Sequence, residues 1–508
     1  MSVLTKKIKH VVVLMLENRS FDNMLGALYN PVNPPPRGQQ FEGLPAGASN
    51  PYDPPQGPVS TIYAWNENNS SLFTWTIPDP DPGELFSDMN EQQFGLDAAA
   101  EGVARMDGFV NNYMAQAAVA PPGEASTPAA LYSPEAIMHY FRPEQLPALS
   151  TLARAFAVSD QWHASAPDQT WPNRFFVHTG TAHGYVNNEP FHFPYLMHTV
   201  FNRFKTCRYD RRWRVYFHDF PQSLTLARLW FHADHFHFYD APFERHTFKR
   251  DAASGRLPSY SFIEPRYFPD PILRTLPNDQ HPPHDVRLGD QLIADVYNTL
   301  RDSPHWKETL LVITYDEHGG CYDHVPPPVA VPPDSFAPDG FNFNRYGVRV
   351  PAVVISPYVE AGTVLRPVPN QSLPHQGPPY PFDHTSIIAT LRKCFKLGGP
   401  LGNRDAVAPD LEGALTLEKP ENLGPRHVEG APGKPSQEEV EAHLKSPPSE
   451  YQRSLVAAAA HLPSAGGAKE HVKALAAGRQ VAPVPAHATK EDAALYVKEK
   501  VKGFLGKP

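Results

Sequence analysis

The stretch TLLVITYDEHGG, residues 309–320, decides the fold of this chain. Its first part, Thr309 to Tyr315, is an unbroken run rich in β-branched residues, which is typical of a parallel strand buried on both faces. His10 to Leu16 and Val350 to Ser356 are runs of the same kind. They alternate with segments that carry apolar residues at helical spacing, namely Leu292, Ile293, Val296 and Leu300, then Ile387, Ile388, Leu391 and Phe395. This alternation predicts an α/β fold with a mostly parallel sheet and helices on both faces.

Proline is unusually frequent outside these runs. The chain has 58 prolines in 508 residues, about twice the usual share of roughly 5%. The segments from Asn30 to Pro80 and from Val325 to Asn344 are dense in Pro, Gly, Asn and Asp. We expect both to be long loops at the rim of the site or on the surface.

Two adjacent carboxylates, Asp316 and Glu317, directly follow the strand predicted at 309–315, and Gly319 and Gly320 behind them allow a sharp turn. Neighbouring carboxylates at a buried strand end repel each other and raise each other's pKa unless a cation neutralises them. A bound metal ion is the economical explanation. A solvated loop with unpaired carboxylates is the alternative.

A second acid and an amide, Glu17 and Asn18, follow the strand predicted at 10–16. Ligands of open α/β sheets collect outside the carboxyl ends of the strands, so both side chains can reach one common site with the first pair. Together they offer only oxygen donors, which favours Ca²⁺, Mg²⁺ or Mn²⁺. The alternative is a strand-to-helix turn in which Ser20 or Asp22 caps the next helix.

A hydroxyl at the start of a predicted helix is the candidate nucleophile. Thr170 stands two residues before Pro172, and proline suits the first turn of a helix. Free backbone N–H groups and the helix dipole attract phosphate at such a position, and a nearby metal lowers the pKa of the hydroxyl. Arg174 can clamp a phosphate oxygen or make a surface ion pair. Taken alone, the motif is also an ordinary helix N-cap.

The chain has 24 histidines, several of them beside these motifs. The candidates are His163, His281, His284, His324 and His384. An imidazole can donate a hydrogen bond to phosphate or protonate a leaving alkoxide, although a single histidine is more often structural. Their Pro-rich or helix-starting surroundings favour a functional role for His281 and His384.

Several functional classes are excluded. The net charge of -9 gives no basic footprint for nucleic acid. Phosphate loops, GxSxG elbows and HExxH zinc motifs do not occur. The three cysteines, Cys207, Cys321 and Cys394, form neither a CxxC pair nor the Cys-x-Pro-x-Arg pattern of sulfatases. The short apolar run near the N-terminus meets Glu17 without a cleavage site, so we expect a cytoplasmic protein.

The composition shifts to Ala, Lys, Glu and Pro near residue 424. We therefore predict a catalytic domain at 1–423 and a partly helical or disordered appendage at 424–508. Four apolar residues of the appendage could form a stripe on a terminal helix: Ala494, Val497, Val501 and Phe504. Such a helix could pack on the body or lie on a membrane surface, so any membrane contact is peripheral at most.

The ordered motifs together resemble the bacterial phosphoesterase family of non-haemolytic phospholipases C and respiratory-burst-inhibiting acid phosphatases, within the alkaline-phosphatase-like superfamily. The resemblance covers roughly residues 8 to 395. It rests on ENRSFD at 17–22, MDGF at 106–109, TWPNR at 170–174, HPP at 281–283, YDEHGG at 315–320 followed by YDH at 322–324, and DHTS at 383–386.

The resemblance implies an alkaline-phosphatase-like fold and one divalent metal ion, Ca, Mg, Mn or Zn. It places the metal on residues matching Glu17, Asn18, Asp316 and Glu317, with Thr170 as both nucleophile and ligand. Phosphate contacts are implied at His281, aided by His384.

The substrate implied is a phosphate ester, first of all a phospholipid cleaved as by a phospholipase C. An acid-phosphatase-like monoesterase is the alternative, and a non-catalytic member that binds a metal or anions is a further one. The aromatic region from Trp213 to Tyr239 could cage a quaternary ammonium or belong to the core. The oligomeric state stays open.

One departure from the family pattern concerns the turn at 81–84. Where the family commonly has a histidine after an Asp-Pro-Gly turn, this chain has Asp81-Pro82-Gly83-Glu84. A glutamate there repels a substrate phosphate unless a metal ion or a proton intervenes.

Overall fold

The computed structural model describes residues 2–95, 103–119, 133–189, 196–204, 213–242, 244–368, 379–477 and 484–507. Its strands are β1 (His10–Leu16), β2 (Ser49–Tyr52), β3 (Ser60–Tyr63), β4 (Ala157–Ser159), β5 (Trp213–Phe217), β6 (Phe236–Phe238), β7 (Tyr260–Glu264), β8 (Thr309–Tyr315), β9 (Ala352–Ile355) and β10 (Thr363–Val364). Its helices are α1 (Val3–Lys7), α2 (Phe21–Met24), α3 (Phe86–Phe94), α4 (Phe109–Val119), α5 (Pro147–Ala155), α6 (Thr170–Thr179), α7 (Val200–Phe204), α8 (Phe248–Ala253), α9 (Val286–Arg301), α10 (Thr385–Phe395), α11 (Asn403–Val407), α12 (Gln437–Lys445), α13 (Glu450–Ala460), α14 (Ala468–Ala476) and α15 (Lys490–Leu505).

A central sheet of eight strands has the order β10-β4-β9-β8-β1-β7-β5-β6. Its pairs are parallel except the two that β9 forms with β4 and β8. The small sheet of β2 and β3 is an antiparallel hairpin. The α/β class with a mostly parallel sheet is therefore confirmed.

The two runs that predicted the middle of the sheet are neighbouring strands with the expected bounds. β1 and β8 pair in parallel and in register, from His10 opposite Thr309 to Leu16 opposite Tyr315. Both are buried almost throughout, as an apolar run without alternation requires. Because they end level with each other, residues 17–18 and 316–317 emerge side by side at the same edge of the sheet.

Most of the other local predictions also match, but the segment 30–80, which was predicted as a loop, contains the hairpin of β2 and β3. The run at 350–356 contains β9, and the two helical patterns lie on α9 and α10. Residues 325–344 contain no helix or strand in the described chain.

The aromatic region at 213–239 is mostly core, with Trp213, Tyr216 and Trp230 buried. Cys321 and Cys394 are buried free thiols, whereas Cys207 lies outside the described residues.

The described part of the C-terminal segment from 424 onward carries the helices α12 to α15, joined by irregular stretches, and it packs on the body. The stripe on α15 is buried, with Val497, Val501 and Phe504 at most 2% exposed. α15 contacts α12 and α13, and the ring of Phe504 lies 6.4 Å from that of Phe236. Among the described residues, no helix is both long enough and apolar enough to cross a bilayer.

Candidate active site

Four polar residues leave β1 and β8 together and form the strand-end donor set: Glu17, Asn18, Asp316 and Glu317. All four are fully buried. The backbone N–H of Asn18 donates to Asp316 Oδ1 over 3.0 Å, and its Nδ2 donates to Glu317 Oε1 over 2.6 Å. The backbone of Asn18 is left-handed, with a φ of 55°, which turns the chain sharply after β1. Three of the residues predicted from separate motifs, Asn18, Asp316 and Glu317, are thus connected by hydrogen bonds.

Arg174 is the cation of this cluster. Its Nη2 pairs with Glu17 Oε1, and its Nε donates to Asp316 Oδ2 over 3.2 Å. Its Nη1 lies 3.7 Å from Glu264 Oε2. Because its side chain is 3% exposed and these carboxylates surround it, Arg174 neutralises the cluster and is not a surface residue. A direct clamp on phosphate would require it to release one of these partners.

Glu264 at the end of β7 and Gln222 complete the support behind Glu17. Gln222 Nε2 donates to Glu17 Oε1 over 2.8 Å, and the backbone N–H of Gln222 donates to Glu264 Oε2 over 2.7 Å. Sequence reasoning missed both residues. The position of Glu264 at the end of the run YSFIE, residues 260–264, was an available signal, whereas nothing local marks Gln222.

Thr170 is the first residue of α6 and is fully buried beside the donor set. Its Oγ1 donates to Asn18 Oδ1 over 3.4 Å. The next N–H, that of Trp171, donates to Asn188 Oδ1 over 2.8 Å, which anchors the first turn of the helix. The candidate nucleophile and the candidate metal ligands therefore meet at one helix N-terminus.

His281 and Glu84 form the other side of this region. His281 Nε2 lies 3.4 Å from Glu84 Oε1, and Glu84 Oε1 accepts a hydrogen bond from Asn18 Nδ2 over 2.5 Å. The ring of His281 is stacked on Tyr451 of α13, with centroids 4.7 Å apart and planes 15° apart. Glu84 is therefore adjacent to the donor set, at the place where the family resemblance implies a histidine.

His384 is engaged on both ring nitrogens. Its Nε2 lies 2.5 Å from the carbonyl oxygen of Asp316, and its Nδ1 accepts from Trp162 Nε1 over 3.4 Å. Since a carbonyl oxygen only accepts, Nε2 carries the proton and holds the Asp316 backbone. In this arrangement His384 positions the donor set and has no proton free for a phosphate.

The remaining candidate histidines make structural contacts. His163 Nδ1 lies 2.9 Å from the Gly347 carbonyl oxygen, and His284 Nδ1 lies 2.7 Å from Asp279 Oδ1. His324 Nδ1 lies 2.6 Å from Asp22 Oδ2, in a network neutralised by Arg349. Ser20 caps α2 by accepting a hydrogen bond from the N–H of Asn23. The strand-to-helix turn, which was the alternative interpretation of residues 17–22, is therefore present together with the donor set.

A cavity of about 500 Å³ opens beside Glu84 and Tyr451. The acidic residues that line it are Asp81, Glu84, Asp88, Glu189 and Glu450. No lysine or arginine is among its described lining residues. A larger cavity of about 690 Å³ lies near Tyr29 and Arg154. The acidic cavity is the one that adjoins the site, through Glu84, which accepts from Asn18, and through Gln169, which precedes Thr170.

The electrostatics of the cluster favour a bound cation. Burial raises the pKa of Glu17 well above its usual range, and the neighbouring Arg174 only partly opposes this. Burial, and then the nearby Glu84, raise the pKa of Glu317 well above its usual range. Burial raises the pKa of Glu84 to about 8. A divalent ion would relieve all three effects at once.

The residues present fit a hard metal ion. The donor set supplies carboxylate and amide oxygens, the ligands that such ions prefer. Glu17 Oε2 is buried without a hydrogen-bond partner, so a lone pair is available for coordination. A metal ion suits this site, while its identity and number are matters for experiment.

Comparisons with known proteins identify the family of the chain. A model of the phosphoesterase family matches residues 8–398. Non-specific phospholipase C6 of Arabidopsis thaliana is 38% identical over 470 residues, which cover 90% of this chain and 81% of that protein. Phospholipase C A of Mycobacterium tuberculosis is 28% identical over 468 residues, which cover 82% of this chain and 78% of that protein.

Among solved structures, a protein in the alkaline phosphatase superfamily from Vibrio parahaemolyticus overlaps 53% of this chain and 64% of its own, with a TM-score of 0.32 and 13% identity. The lipoteichoic acid synthase of Listeria monocytogenes overlaps 56% of this chain and 70% of its own, with a TM-score of 0.31 and 12% identity. The family match spans every motif of the site, from Glu17 to His384, and the resemblance seen in the sequence is confirmed. The chain belongs to the phosphoesterase family.

Proposed function

We propose that the chain is a metal-dependent phosphodiesterase of the phospholipase C type, with Thr170 as the nucleophile. The observation that carries this proposal is the contact of Thr170 Oγ1 with Asn18 Oδ1 at 3.4 Å, at the N-terminus of α6. It places a hydroxyl, a helix N-terminus and the strand-end donor set within one site. The names of the relatives support the phospholipase C type.

The reaction takes two displacement steps. Thr170 Oγ loses its proton and attacks phosphorus, the bond from phosphorus to the alcohol oxygen breaks, and the departing alkoxide takes up a proton. Water then attacks the phosphothreonine, the bond from Oγ to phosphorus breaks, and the Thr170 hydroxyl is restored with release of the phosphorylated headgroup. In phosphoryl transfer the protein contributes mainly positioning and electrostatic stabilisation.

The chain's own groups supply that stabilisation. The N-terminus of α6 directs the positive end of the helix dipole at the phosphoryl oxygens. The dipole is its main contribution, because the Trp171 N–H already donates to Asn188 Oδ1 and Pro172 has no N–H. Arg174 holds Glu17 and Asp316 in place, and His384 holds the Asp316 backbone. When bound by the donor set, a divalent ion supplies charge that lowers the pKa of the Thr170 hydroxyl.

The charge of the cavity favours a diester over a monoester. A phosphate monoester carries close to two negative charges at neutral pH, as a phosphorylated side chain does, whereas a diester carries one. The acidic lining that includes Asp88, Glu189 and Glu450 repels a dianion more strongly, and it attracts the ammonium group of a zwitterionic phospholipid. A phospholipid diester therefore suits this cavity better than a monoester.

We propose an intracellular, cytoplasmic location for this activity.

The test is hydrolysis of a chromogenic phosphocholine diester and a chromogenic phosphate monoester, each with and without added divalent metal. We expect the wild type to prefer the diester, and Thr170→Ala to lose nearly all turnover, because its nucleophile is removed. Thr170→Ser, which keeps a hydroxyl, should retain part of the activity. Thr179→Ala, at the other end of α6, is the matched control and should stay near the wild type.

Two results would contradict the proposal. Turnover by Thr170→Ala at the wild-type rate would exclude this nucleophile. A wild-type enzyme that cleaves neither ester at any pH or with any metal would favour a non-catalytic role, and preference for the monoester would favour a phosphatase.

A further inference from the structure

Three side chains beside the donor set are placed like ligands of a second ion. Asp81, Glu84 and His281 each offer one ligand atom, and these atoms lie within 4.8 Å of one another. Asp81 and Glu84 share one turn of the loop before α3, whereas His281 comes from the loop before α9. This group, which we call the rim cluster, borders the acidic cavity.

The hydrogen bonds of His281 fix where its lone pair is. Its Nδ1 lies 2.6 Å from the carbonyl oxygen of Pro282, and because a carbonyl only accepts, Nδ1 carries the proton. In the neutral ring, Nε2 then carries a lone pair. This buried Nε2 has no hydrogen-bond partner and lies 3.4 Å from the carboxylate oxygen of Glu84.

Two electron-rich atoms that face each other in a buried place repel unless a cation or a proton lies between them. The His281 ring is 2% exposed and is held by its stacking on Tyr451, so it cannot easily turn away. Glu84 is 10% exposed, and its Oε1 already accepts a hydrogen bond from Asn18 Nδ2. The pair is therefore arranged to bind a positive charge.

Arg19 acts electrostatically on Asp81, but the described lysines and arginines do not pair with Glu84. Arg174 is occupied by Glu17 and Asp316, and Arg19 donates to the carbonyl oxygens of Gln280 and Ile77. A shared proton or an external cation can therefore neutralise the Glu84–His281 pair, and Asp81 as a third donor beside it favours the cation.

We propose that Asp81, Glu84 and His281 bind a second divalent cation, adjacent to the ion of the strand-end donor set. Two carboxylates and an imidazole suit Mn²⁺ or Zn²⁺. The two sets adjoin at Asn18, whose Nδ2 donates to both Glu84 and Glu317.

The proposed role of this cation rests on the proposed function. It would offset the acidic lining of the cavity and hold a phosphoryl oxygen of the substrate, which explains how a phosphate ester is accepted beside Glu84. It would also give the site two ions, as in other phosphoesterases with two-metal centres.

The test is a count of bound ions, which does not depend on turnover. The full-length protein is stripped with a chelator, dialysed against Mn²⁺ at a series of concentrations, and analysed for metal per chain. We expect two ions for the wild type and for Thr170→Ala, and one ion for Glu84→Gln. Asp81→Asn, which changes a side chain that is 37% exposed, should weaken the second ion by about tenfold or more without unfolding the protein.

Two controls separate this site from others. Glu317→Gln should weaken the ion of the donor set. Glu308→Gln alters a different group, formed with His10 and His305 at the opposite edge of the sheet, and should leave two ions bound. Melting curves of the variants check that each is folded.

A single ion in the wild type overturns the second site, whether or not Glu84→Gln removes it. Two ions in both the wild type and folded Glu84→Gln overturn it equally. Failure of the proposed function is seen separately, because activity in Thr170→Ala would refute the nucleophile and leave the ion count unchanged.

Discussion

Replacement of Arg174 by methionine tests the electrostatic account of the site most directly. Arg174 is almost completely buried and pairs with Glu17 and Asp316, with Glu264 nearby. Methionine fills much of the same volume without the charge. The change therefore leaves several buried carboxylates without the cation that neutralises them.

The size of the effect follows from burial. Removal of one partner of a buried ion pair costs about 3–5 kcal/mol, because the remaining charge stays desolvated. We expect the metal-free Arg174→Met protein to lose an amount in this range from its free energy of unfolding. An exposed pair offers the contrast, since Arg105, whose side chain is 59% exposed, pairs with Asp107, and Arg105→Met should cost less than about 1 kcal/mol.

The loss should depend on pH with a defined sign. Burial already raises the pKa of Glu17, and loss of Arg174 raises it further. A group whose pKa is higher in the folded state than in the unfolded state binds more protons when folded, so its stability contribution fades as pH rises. The cost of Arg174→Met should therefore be smaller at pH 5 than at pH 8.

Urea denaturation of the metal-free variants at both pH values measures this. Added divalent metal should restore part of the stability of Arg174→Met, because the ion takes over the neutralisation. It should not restore Arg214→Met, which breaks a largely buried pair with Asp251 away from the donor set and outside any group of candidate metal ligands among the described residues. A cost of less than about 1 kcal/mol for Arg174→Met at pH 8 would refute the account, since that is the range of exposed pairs.

Two further predictions concern protons and backbone geometry. Burial raises the pKa of Glu84 to about 8 and also raises the pKa of Glu17, so the metal-free protein should lose thermal stability between pH 5 and pH 8. Saturating divalent metal should abolish this loss. A melting temperature of the metal-free protein that rises with pH would contradict the prediction. Gly319 has a φ of 59°, and a Cβ there would lie 2.1 Å from the carbonyl oxygen of Asn18, so Gly319→Ala should lower metal affinity by more than about tenfold. Gly340→Ala, at a φ of 80° with nothing within 4 Å, is the matched control for backbone strain in the same titration, and equal affinities in both variants would count against the steric argument.

The middle of the fold could be predicted because its signal is local. β1 and β8 are buried on both faces, so every residue must be apolar or β-branched, and such a run is visible in the sequence alone. Their shared direction then places Asn18 beside Glu317 by geometry. The direction of β9 could not be predicted in the same way, since a buried run looks the same in parallel and antiparallel pairs.

The roles of charged residues were harder to predict because they depend on distant partners. The sequence allowed Arg174 to be a phosphate clamp or a surface residue, and only the packing of β7 and α6 brings Glu264 and Glu17 around it. His384 looked available for catalysis, but the chain places the Asp316 carbonyl against its Nε2. The type of a residue limits the roles it can take, and the residues that contact it in the folded chain decide which of these roles it has.

Tyr451 shows the same point at the largest sequence distance. It lies in the segment whose alanine- and lysine-rich composition predicted an appendage, and beyond the residues that the family match covers. The alanine- and lysine-rich composition reflects the exposed residues of that segment. One side chain that points inward is enough to make the segment part of the site. The Tyr451 ring stacks on His281, and its hydroxyl accepts from the Gln222 Nε2 that also donates to Glu17. The C-terminal segment therefore forms one wall of the acidic cavity, and substitutions there can change how substrate meets Glu84 without altering any family motif.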